Sequence, residues 1–234
     1  MLLQNERELV AEYGRKIEAA GLCPGTSGNL SVCCREDGLF AVSPSGMPYE
    51  EITPADVTVL DFSGNVVDGE RKPSSEWALH AAFYRKKKDV GAVIHTHAIY
   101  CTTFAVLRQP LRAVHYCIAP ALAPYDPQSA SPAIVPVAPY HTFGTMELAE
   151  AAVKACGAGR AVLLANHGIV VCGDGAAEAF SLMQDLEYLA QLQYRAQSAM
   201  MPNAHPHILT DDEMQAAKAR FTTYGQRPGE KSGY

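Results

Sequence analysis

Two histidines, His95 and His97, stand one residue apart in the apolar run VGAVIHTH at residues 90–97. Such a run is typical of a buried β-strand, in which side chains at positions i and i+2 project from the same face. The two imidazoles therefore converge on one point, as the nitrogen ligands of a divalent metal must. A chain with eight histidines can also contain this pair by chance, so the pair alone favours metal binding and coincidence about equally.

A third histidine, His167, lies in ANHGIVV at the end of a predicted strand and is followed by Gly168. A glycine lets the backbone turn sharply there and aim the side chain into a cleft. Three histidines would leave a fourth coordination position open, as in a catalytic rather than a structural zinc site. Considered alone, His167 is better explained as a hydrogen-bonded core histidine.

A single carboxylate, Glu76, begins a predicted helix in KPSSEW. Acidic side chains in a first turn often do no more than stabilise the helix dipole. The alternative is a general base beside a metal, where proton abstraction next to a polarised carbonyl needs a carboxylate. The spacing leaves both interpretations open.

Three small polar clusters could bind a phosphate through backbone N–H groups and hydroxyls: Thr26 to Asn29, Ser45-Gly46 and Ser74-Ser75. Each cluster alone is typical of a turn or a helix cap. Neither GxxxxGK[ST] nor GxGxxG occurs, so nucleotide binding is not predicted. The remaining histidines are predicted to be structural or surface residues, and they are His80, His115, His141, His205 and His207.

The elements that must position these groups alternate between helices and short strands. Helical spacing predicts helices at 5–20, 141–155 and 176–200, and a last helix that Thr210 caps and that ends near Phe221. Residues 57–67 predict a β-hairpin and Thr53-Pro54 a short helix. Residues 120–139 hold six of the fifteen prolines and predict a loop. Hairpins mixed with helices indicate a mixed or largely antiparallel sheet with helices packed on it.

Composition bounds the function classes. The chain has 234 residues, of which 48% are hydrophobic and 19% charged, which suits one domain with a sizeable core. A formal charge of -6 disfavours nucleic-acid and anionic-membrane binding. The N-terminus lacks a secretory pattern, no apolar stretch approaches the roughly 20 residues of a membrane span, and seven cysteines without a CxxC pair indicate reduced thiols. We therefore expect a cytoplasmic protein.

The motifs together resemble the class II aldolase/adducin family. The resemblance is collinear and covers nearly the whole chain. It rests on GTSGNLSV (25–32), SPSGMPYEEIT (43–53), KPSSEWALHAAFY (72–84), AVIHTHAIYCT (92–102), HY (115–116), APYHTFGTMELAE (138–150), LLANHGIVVC (163–172), LEYLAQL (186–192) and FTTYG (221–225).

The resemblance implies a fold and a set of roles. The fold is α/β, a three-layer α/β/α sandwich with a largely antiparallel central sheet, in one domain over 1–234 with a flexible tail from about 225. Zinc, with Mn²⁺ or Co²⁺ as alternatives, would be bound by His95, His97 and His167, and Glu76 would be the acid/base and a fourth ligand. The substrate phosphate would be held by Gly28, Asn29, Ser45, Gly46, Ser74 and Ser75.

The resemblance also implies a subunit boundary at the active site. Tyr116 would come from a neighbouring subunit of a homotetramer and protonate the aldehyde oxygen, while Phe143, Phe221 and Tyr224 would line the aldehyde pocket. By default, the last two aromatic residues would simply pack the final helix on the body. Two departures from the family leave the aldehyde end open: Ser45 replaces a threonine, and residues 121–137 replace a shorter, glycine-rich stretch that follows Tyr116.

The activity implied is cleavage of a ketose 1-phosphate to dihydroxyacetone phosphate and a short aldehyde. The candidate substrates are L-fuculose 1-phosphate, a 5-deoxypentulose 1-phosphate and methylthioribulose 1-phosphate. A pentulose-5-phosphate 4-epimerase of the same fold typically has Asp in place of Glu76, and an adducin-like binding protein lacks the metal histidines. The residues of this chain therefore favour the aldolase over both alternatives.

Overall fold

The computed structural model describes residues 1–123, 133–199 and 205–221. Ten short strands form in this part of the chain: β1 Asn29–Cys34, β2 Leu39–Val42, β3 Thr58–Asp61, β4 Val66–Asp68, β5 Ala92–Thr96, β6 Leu111–Arg112, β7 Ile134–Val135, β8 Val137–Ala138, β9 Ala161–Leu164 and β10 Gly168–Gly173. Eight of them make one sheet in the order β4-β3-β2-β1-β5-β10-β9-β8, and β6 pairs with β7. Only the β8–β9 pair of the large sheet is parallel.

Helices cover both faces of this sheet. They are α1 Gln4–Ala19, α2 Trp77–Lys86, α3 Ile99–Leu107, α4 Met146–Cys156, α5 Ala176–Ser198 and α6 Asp211–Phe221, with short 3-10 helices at Tyr49–Glu51 and Tyr116–Ala121. One apolar cluster joins the sheet to α1, α3 and α5, and a second joins its other face to α2 and α4. The predicted three-layer α/β/α fold with a largely antiparallel sheet is confirmed.

Strand β5 lies at the centre of the sheet and is buried along its length. Its side chains alternate between the two layers, since Ile94 packs toward α1, α3 and α5 and Val93 toward α2 and α4. His95 follows the period of two and therefore faces the α2 side. In register, His95 lies opposite Asn29 of β1 and Val170 of β10, so three strands meet beside it.

The structure differs from the sequence-based prediction in three places. No helix forms at Thr53-Pro54, because the backbone N–H and the hydroxyl of Thr53 both donate to the Asp56 carboxylate and close a turn. Helix α4 begins at Met146 rather than at 141, because Gly144 has a positive φ of 75° and the Thr145 hydroxyl caps Leu148 N–H. The proline-rich stretch is not all loop, since it contributes β7 and β8.

Part of that proline-rich stretch, residues 124–132, lies outside the described residues, as do 200–204 and the tail from 222. None of the helices in the described ranges has the length and apolar character needed to cross a membrane.

Candidate metal centre and active site

The three predicted histidines come together at one edge of the sheet. The ring centroids of His95, His97 and His167 lie 4.7 to 5.0 Å apart, and one ligand atom from each falls within 4.8 Å of the others. The Nε2 atoms of His95 and His97 are 3.2 Å apart. The imidazoles of His95 in β5 and of His97, one residue beyond its end, therefore converge as the i, i+2 spacing predicts, and His167 lies with them.

Two neighbouring elements fix where these rings lie. The Glu187 carboxylate of α5 accepts hydrogen bonds of 2.9 Å from Tyr100 N–H and Cys101 N–H, and so anchors the start of α3 two residues after His97. On the other side, Asn166 turns the chain with a positive φ of 55° and donates its N–H to the Ala105 carbonyl. His167 therefore directly follows a turn that this backbone hydrogen bond fixes to α3.

Gly168 allows β10 to approach the centre closely. A Cβ atom at this position would clash with the Thr96 carbonyl oxygen and would lie 2.9 Å from Cδ2 of His97 and 3.2 Å from Cε1 of His95. The sequence analysis explained this glycine by a sharp turn, but its φ is not positive. The glycine is required for space rather than for conformation.

The histidines are prepared to act as neutral nitrogen ligands. The Ile169 carbonyl oxygen is 2.9 Å from Nδ1 of His95, and because a carbonyl only accepts, Nδ1 carries a hydrogen and Nε2 is the nitrogen that faces the other rings. Burial, and then the charge of His95, lower the pKa of His97 and of His167 to about 4. Nitrogen donors of this kind fit a divalent metal such as zinc.

The carboxylate of Glu76 faces this cluster instead of capping α2. Its Oε2 is 3.3 Å from Nε2 of His95 and its Oε1 is 3.6 Å from Nε2 of His167. The Oε1 atom is buried and has no hydrogen-bond partner among the described residues. A buried carboxylate oxygen with no donor is costly, so it is a place where a cation or a substrate proton would bind.

The charge state of Glu76 follows from the same neighbours. Burial raises the pKa of this carboxyl, but the attraction and hydrogen bonding of His95, followed by the attraction of His167, outweigh it. The pKa therefore lies well below its usual range, and the group is ionised at neutral pH in the metal-free protein. Although Glu76 is the N-cap residue of α2, its side chain makes no capping hydrogen bond.

The three Ser/Thr/Gly clusters meet beside Glu76. Leu30 N–H donates to the Ser43 hydroxyl, and an isolated bridge pairs Pro44 with Pro73, so the three turns lie side by side. Gly28 has a positive φ of 79°, and a Cβ there would lie 2.6 Å from the His95 carbonyl oxygen. The exposed members of the clusters are Thr26, Ser45, Gly46 and Ser75, while Ser74 and Asn29 are buried.

Turns of this composition can bind a phosphate through hydroxyls and backbone N–H groups, although Ser45 N–H and Ser74 N–H already donate to the carbonyls of Lys72 and Ser43. The Ser74 hydroxyl is already used, since it accepts from Glu76 N–H at 3.2 Å. The Asn29 side chain donates to Oε2 of Glu76 at 3.0 Å. Its contact with the carboxylate was not predicted, and its role in phosphate binding stays a prediction.

A fourth buried histidine, His80, is connected to the site through Asn29. Its Nε2 is 2.6 Å from Oδ1 of Asn29 and its Nδ1 is 2.7 Å from the Ser31 hydroxyl. Its location in the core agrees with the structural role predicted for it, but the sequence analysis missed its link to Glu76. The available signal was its position one helical turn after Glu76, on the same face of α2.

The residues predicted for the aldehyde side are exposed. Tyr116 has 55% of its surface exposed; its ring lies 4.4 Å from the His115 ring and 6.2 Å from that of Phe221. Phe143 is 65% exposed and precedes Gly144, which packs against the Ser75 carbonyl. Tyr224 lies outside the described residues.

Among the described residues, the ring contacts of Tyr116 are with His115 and Phe221 rather than with the metal-site histidines. One chain therefore brings together the metal end of the predicted site but not Tyr116. The other histidines lie outside the metal cluster: His141 is half-buried, and His205 and His207 are exposed.

Comparison with known proteins places this arrangement among sugar-phosphate aldolases. The profile described as Class II Aldolase and Adducin N-terminal domain matches residues 8–194. The chain is similar to the 5-deoxy-D-ribulose 1-phosphate aldolase of Bacillus thuringiensis serovar kurstaki, with 44% identity over 227 residues, 97% of this chain and 100% of the relative.

Two further proteins are similar over most of their length. The L-fuculose phosphate aldolase of Escherichia coli is 37% identical over 207 residues, 88% of this chain and 89% of the relative. The solved structure of an L-fuculose 1-phosphate aldolase superposes with a TM-score of 0.86 at 41% identity, over 95% of this chain and 98% of the other.

Proposed function

Because the chain belongs to the class II aldolase and adducin family, we propose that it is a divalent-metal-dependent aldolase that cleaves a ketose 1-phosphate to dihydroxyacetone phosphate and a short aldehyde. The observation that carries this proposal is the cluster of His95, His97 and His167 around a buried carboxylate oxygen of Glu76 that has no donor. The three Ser/Thr/Gly turns proposed to bind the phosphate lie beside that carboxylate. The phosphorylated end of the substrate and its reacting carbon can therefore be held at one site.

The three histidines would hold the metal, with Glu76 as a fourth ligand when no substrate is bound. We propose zinc, with Mn²⁺ and Co²⁺ as alternatives, because neutral imidazoles accept several divalent ions. A cation bound there supplies Lewis-acid polarisation of the substrate ketone.

The residues of the chain supply the proton transfers. When the bond between C3 and C4 breaks, the C4 hydroxyl loses its proton and becomes the aldehyde, and C3 gains a proton. We assign the proton at C3 to Glu76, whose Oε1 has no hydrogen-bond partner among the described residues, and the proton at the C4 oxygen to Tyr116 from a neighbouring subunit. In condensation each proton moves in the opposite direction.

The phosphate would be held by Gly28, Asn29, Ser45, Gly46, Ser74 and Ser75. Positive φ values at Gly28 and Gly46 and the exposure of Ser45 and Ser75 support this assignment, because such turns present N–H groups toward an anion.

For the substrate, we propose 5-deoxyribulose 1-phosphate, which would yield acetaldehyde as the second product. The support is the 44% identity to an aldolase named for that substrate, compared with 37% to one named for L-fuculose phosphate. L-Fuculose 1-phosphate and methylthioribulose 1-phosphate remain the candidates to compare with it.

We further propose a single domain assembled as a homotetramer. Large apolar side chains exposed on one chain support an interface, and they include Ile99 at 67%, Phe143 at 65% and Tyr116 at 55%. Such side chains commonly mark contacts between subunits. Seven free cysteines, most of them with a pKa raised by burial, support a reducing cytoplasmic location.

One assay set tests the function. The purified protein should contain about one divalent metal per chain and should form dihydroxyacetone phosphate from 5-deoxyribulose 1-phosphate faster than from the two other ketose phosphates. Epimerisation of a pentulose 5-phosphate without cleavage would instead establish the epimerase. A protein that takes up no metal and has no turnover after zinc is supplied would be an adducin-like binding protein.

A further inference from the structure

A buried chain of polar side chains runs from Glu76 away from the metal centre. Asn29 Nδ2 lies 3.0 Å from Glu76 Oε2, and Asn29 Oδ1 lies 2.6 Å from His80 Nε2. His80 Nδ1 lies 2.7 Å from the Ser31 hydroxyl, which is 2.6 Å from the Tyr84 hydroxyl. All five side chains are buried, so every hydrogen bond is shielded from water.

The ionised Glu76 carboxylate fixes which group donates and which accepts in each of these hydrogen bonds. A carboxylate only accepts hydrogen bonds, so Asn29 must turn its NH₂ group toward Glu76 and its oxygen toward His80. His80 must then carry its hydrogen on Nε2 and accept at Nδ1 from the Ser31 hydroxyl. The Ser31 oxygen in turn accepts from Tyr84. A reversed Asn29 would place its amide oxygen against the carboxylate, which is repulsive.

Two properties keep His80 in this tautomer. Burial, and then the charge of His95, lower the pKa of His80 to about 3, so the ring is neutral at physiological pH and has one donor and one acceptor. The Ser31 hydroxyl occupies the acceptor side, which leaves Nε2–H for Asn29. A residue that served only to fill the core would need neither a neutral ring nor a hydrogen bond from Ser31, since a leucine would fill a similar volume.

We propose that His80 is a positioning residue for Glu76: its Nε2–H orients the Asn29 amide, which holds Oε2 and leaves Oε1 free for proton transfer. The inference rests on the proposed acid/base role of Glu76. It assigns to His80 a role at a distance, because its hydrogen bonds reach Glu76 through Asn29.

Two substitutions of His80 separate positioning from packing. His80→Gln keeps an N–H donor near the Nε2 position, whereas His80→Leu keeps the volume and removes the donor. In the metal-loaded enzyme, we expect His80→Leu to lower kcat about 10- to 100-fold, the range for groups that orient a metal-site residue. His80→Gln should recover most of kcat.

A matched control measures how far a loss of folding stability alone changes kcat. Ile17 is fully buried in α1, on the opposite face of the sheet, and Ile17→Ala should cost about 2–5 kcal/mol of folding stability. His80→Leu leaves Asn29 and Ser31 with unpaired groups, at about 1–3 kcal/mol each. Ile17→Ala should lower the melting temperature comparably and keep kcat unchanged.

A readout independent of turnover uses the wild-type protein with ¹⁵N-labelled histidine. The signal that disappears in His80→Gln should report a neutral ring with its hydrogen on Nε2 and slow exchange with water. In Ser31→Ala the acceptor side loses its donor, and the same signal should shift toward the other tautomer.

Each outcome decides the inference. An imidazolium or an Nδ1–H tautomer at neutral pH in the wild type overturns it, and so does His80→Leu with normal kcat. Equal loss of kcat in the Gln and Leu variants also overturns it, because the donor would then not matter. Glu76→Gln distinguishes the two proposals: if that variant is fully active, the acid/base role fails first. If it is inactive while His80→Leu is normal, only the positioning role fails.

Discussion

The close approach of β10 to the metal centre gives a prediction that can be worked from distances. A Cβ atom at residue 168 would lie 2.9 Å from Cδ2 of His97, whereas ordinary contact begins at 3.4 Å. The His97 ring must therefore recede by about 0.5 Å (3.4 minus 2.9), and the Thr96 carbonyl, which would clash outright, must move as well. Both groups belong to the segment that carries two of the three histidines proposed as metal ligands, so Gly168→Ala should disturb the proposed centre directly.

Two effects of Gly168→Ala can be given magnitudes. Overpacking of this kind costs about 1–3 kcal/mol of folding stability. Displacing groups that orient metal ligands lowers metal affinity about 10- to 100-fold, which corresponds to about 1.4–2.8 kcal/mol. The matched control is Gly175→Ala, because a Cβ at Gly175 meets no atom within 4 Å and its φ is not positive.

The assay is competition with a chromogenic zinc chelator near neutral pH, together with thermal unfolding of the metal-free protein. Gly168→Ala should release zinc to the chelator more readily than the wild type does, and Gly175→Ala should not. Wild-type zinc affinity in Gly168→Ala, with only the melting temperature lowered, would refute the argument that the space at this glycine serves the metal centre.

Four further predictions follow from the site and its supports. Glu76→Gln should retain metal by elemental analysis but lose most turnover, and unchanged activity would remove Glu76 from the mechanism. Tyr116→Phe should also be slow, and tetramers reassembled from Tyr116→Phe and Glu76→Gln chains should regain activity, since some sites then combine both native groups; no recovery would argue against a shared site. Glu187→Ala should lose about 1–3 kcal/mol of stability by chemical denaturation, because two N–H groups of α3 lose their acceptor; a loss no larger than that of an exposed glutamate would contradict this. The pKa of His80, lowered to about 3 from 6.5, makes the native state bind fewer protons than the unfolded chain, so stability is present above pH 6.5 and is lost as pH falls toward 3. At pH 5 the loss is about 2 kcal/mol (1.5 units at about 1.36 kcal/mol each), and metal-free wild type should lose that much more than His80→Gln between pH 7 and pH 5.

The sequence predicted what depends on local periodicity. The period of two predicted that His95, in β5, and His97, one residue beyond its end, lie on a common side, and their rings lie together in the structure. The cap-then-proline pattern at Thr53-Pro54 predicted a short helix, and that prediction was wrong. Hydrogen bonds from Thr53 to the Asp56 carboxylate close a turn there instead. Cap-like spacing is common to turns and helices, so only the surrounding packing separates them.

Contacts between residues far apart in the sequence could not be predicted from the spacing of residues along the chain. His167 could not be placed with His95 until the pairing of β10 with β5 was known. His80 gave no sign of its role because its partners, Asn29 and Ser31, are about 50 positions away in the chain, at separations of 51 and 49 residues. The family resemblance supplied the site, but the hydrogen bonds behind it are visible only in the folded chain.

The position of β5 between β1 and β10 has a consequence for how the protein acquires its metal. The groups at the centre come from the turn before α2, from the end of β5 and from the turn between β9 and β10. No single hairpin of the described sheet contains them all, and a growing chain lacks the last of these groups until residue 167 of 234 has been made. We therefore expect a metal to bind at the proposed site only after the sheet has assembled, so that its binding free energy would stabilise the complete fold rather than a folding intermediate.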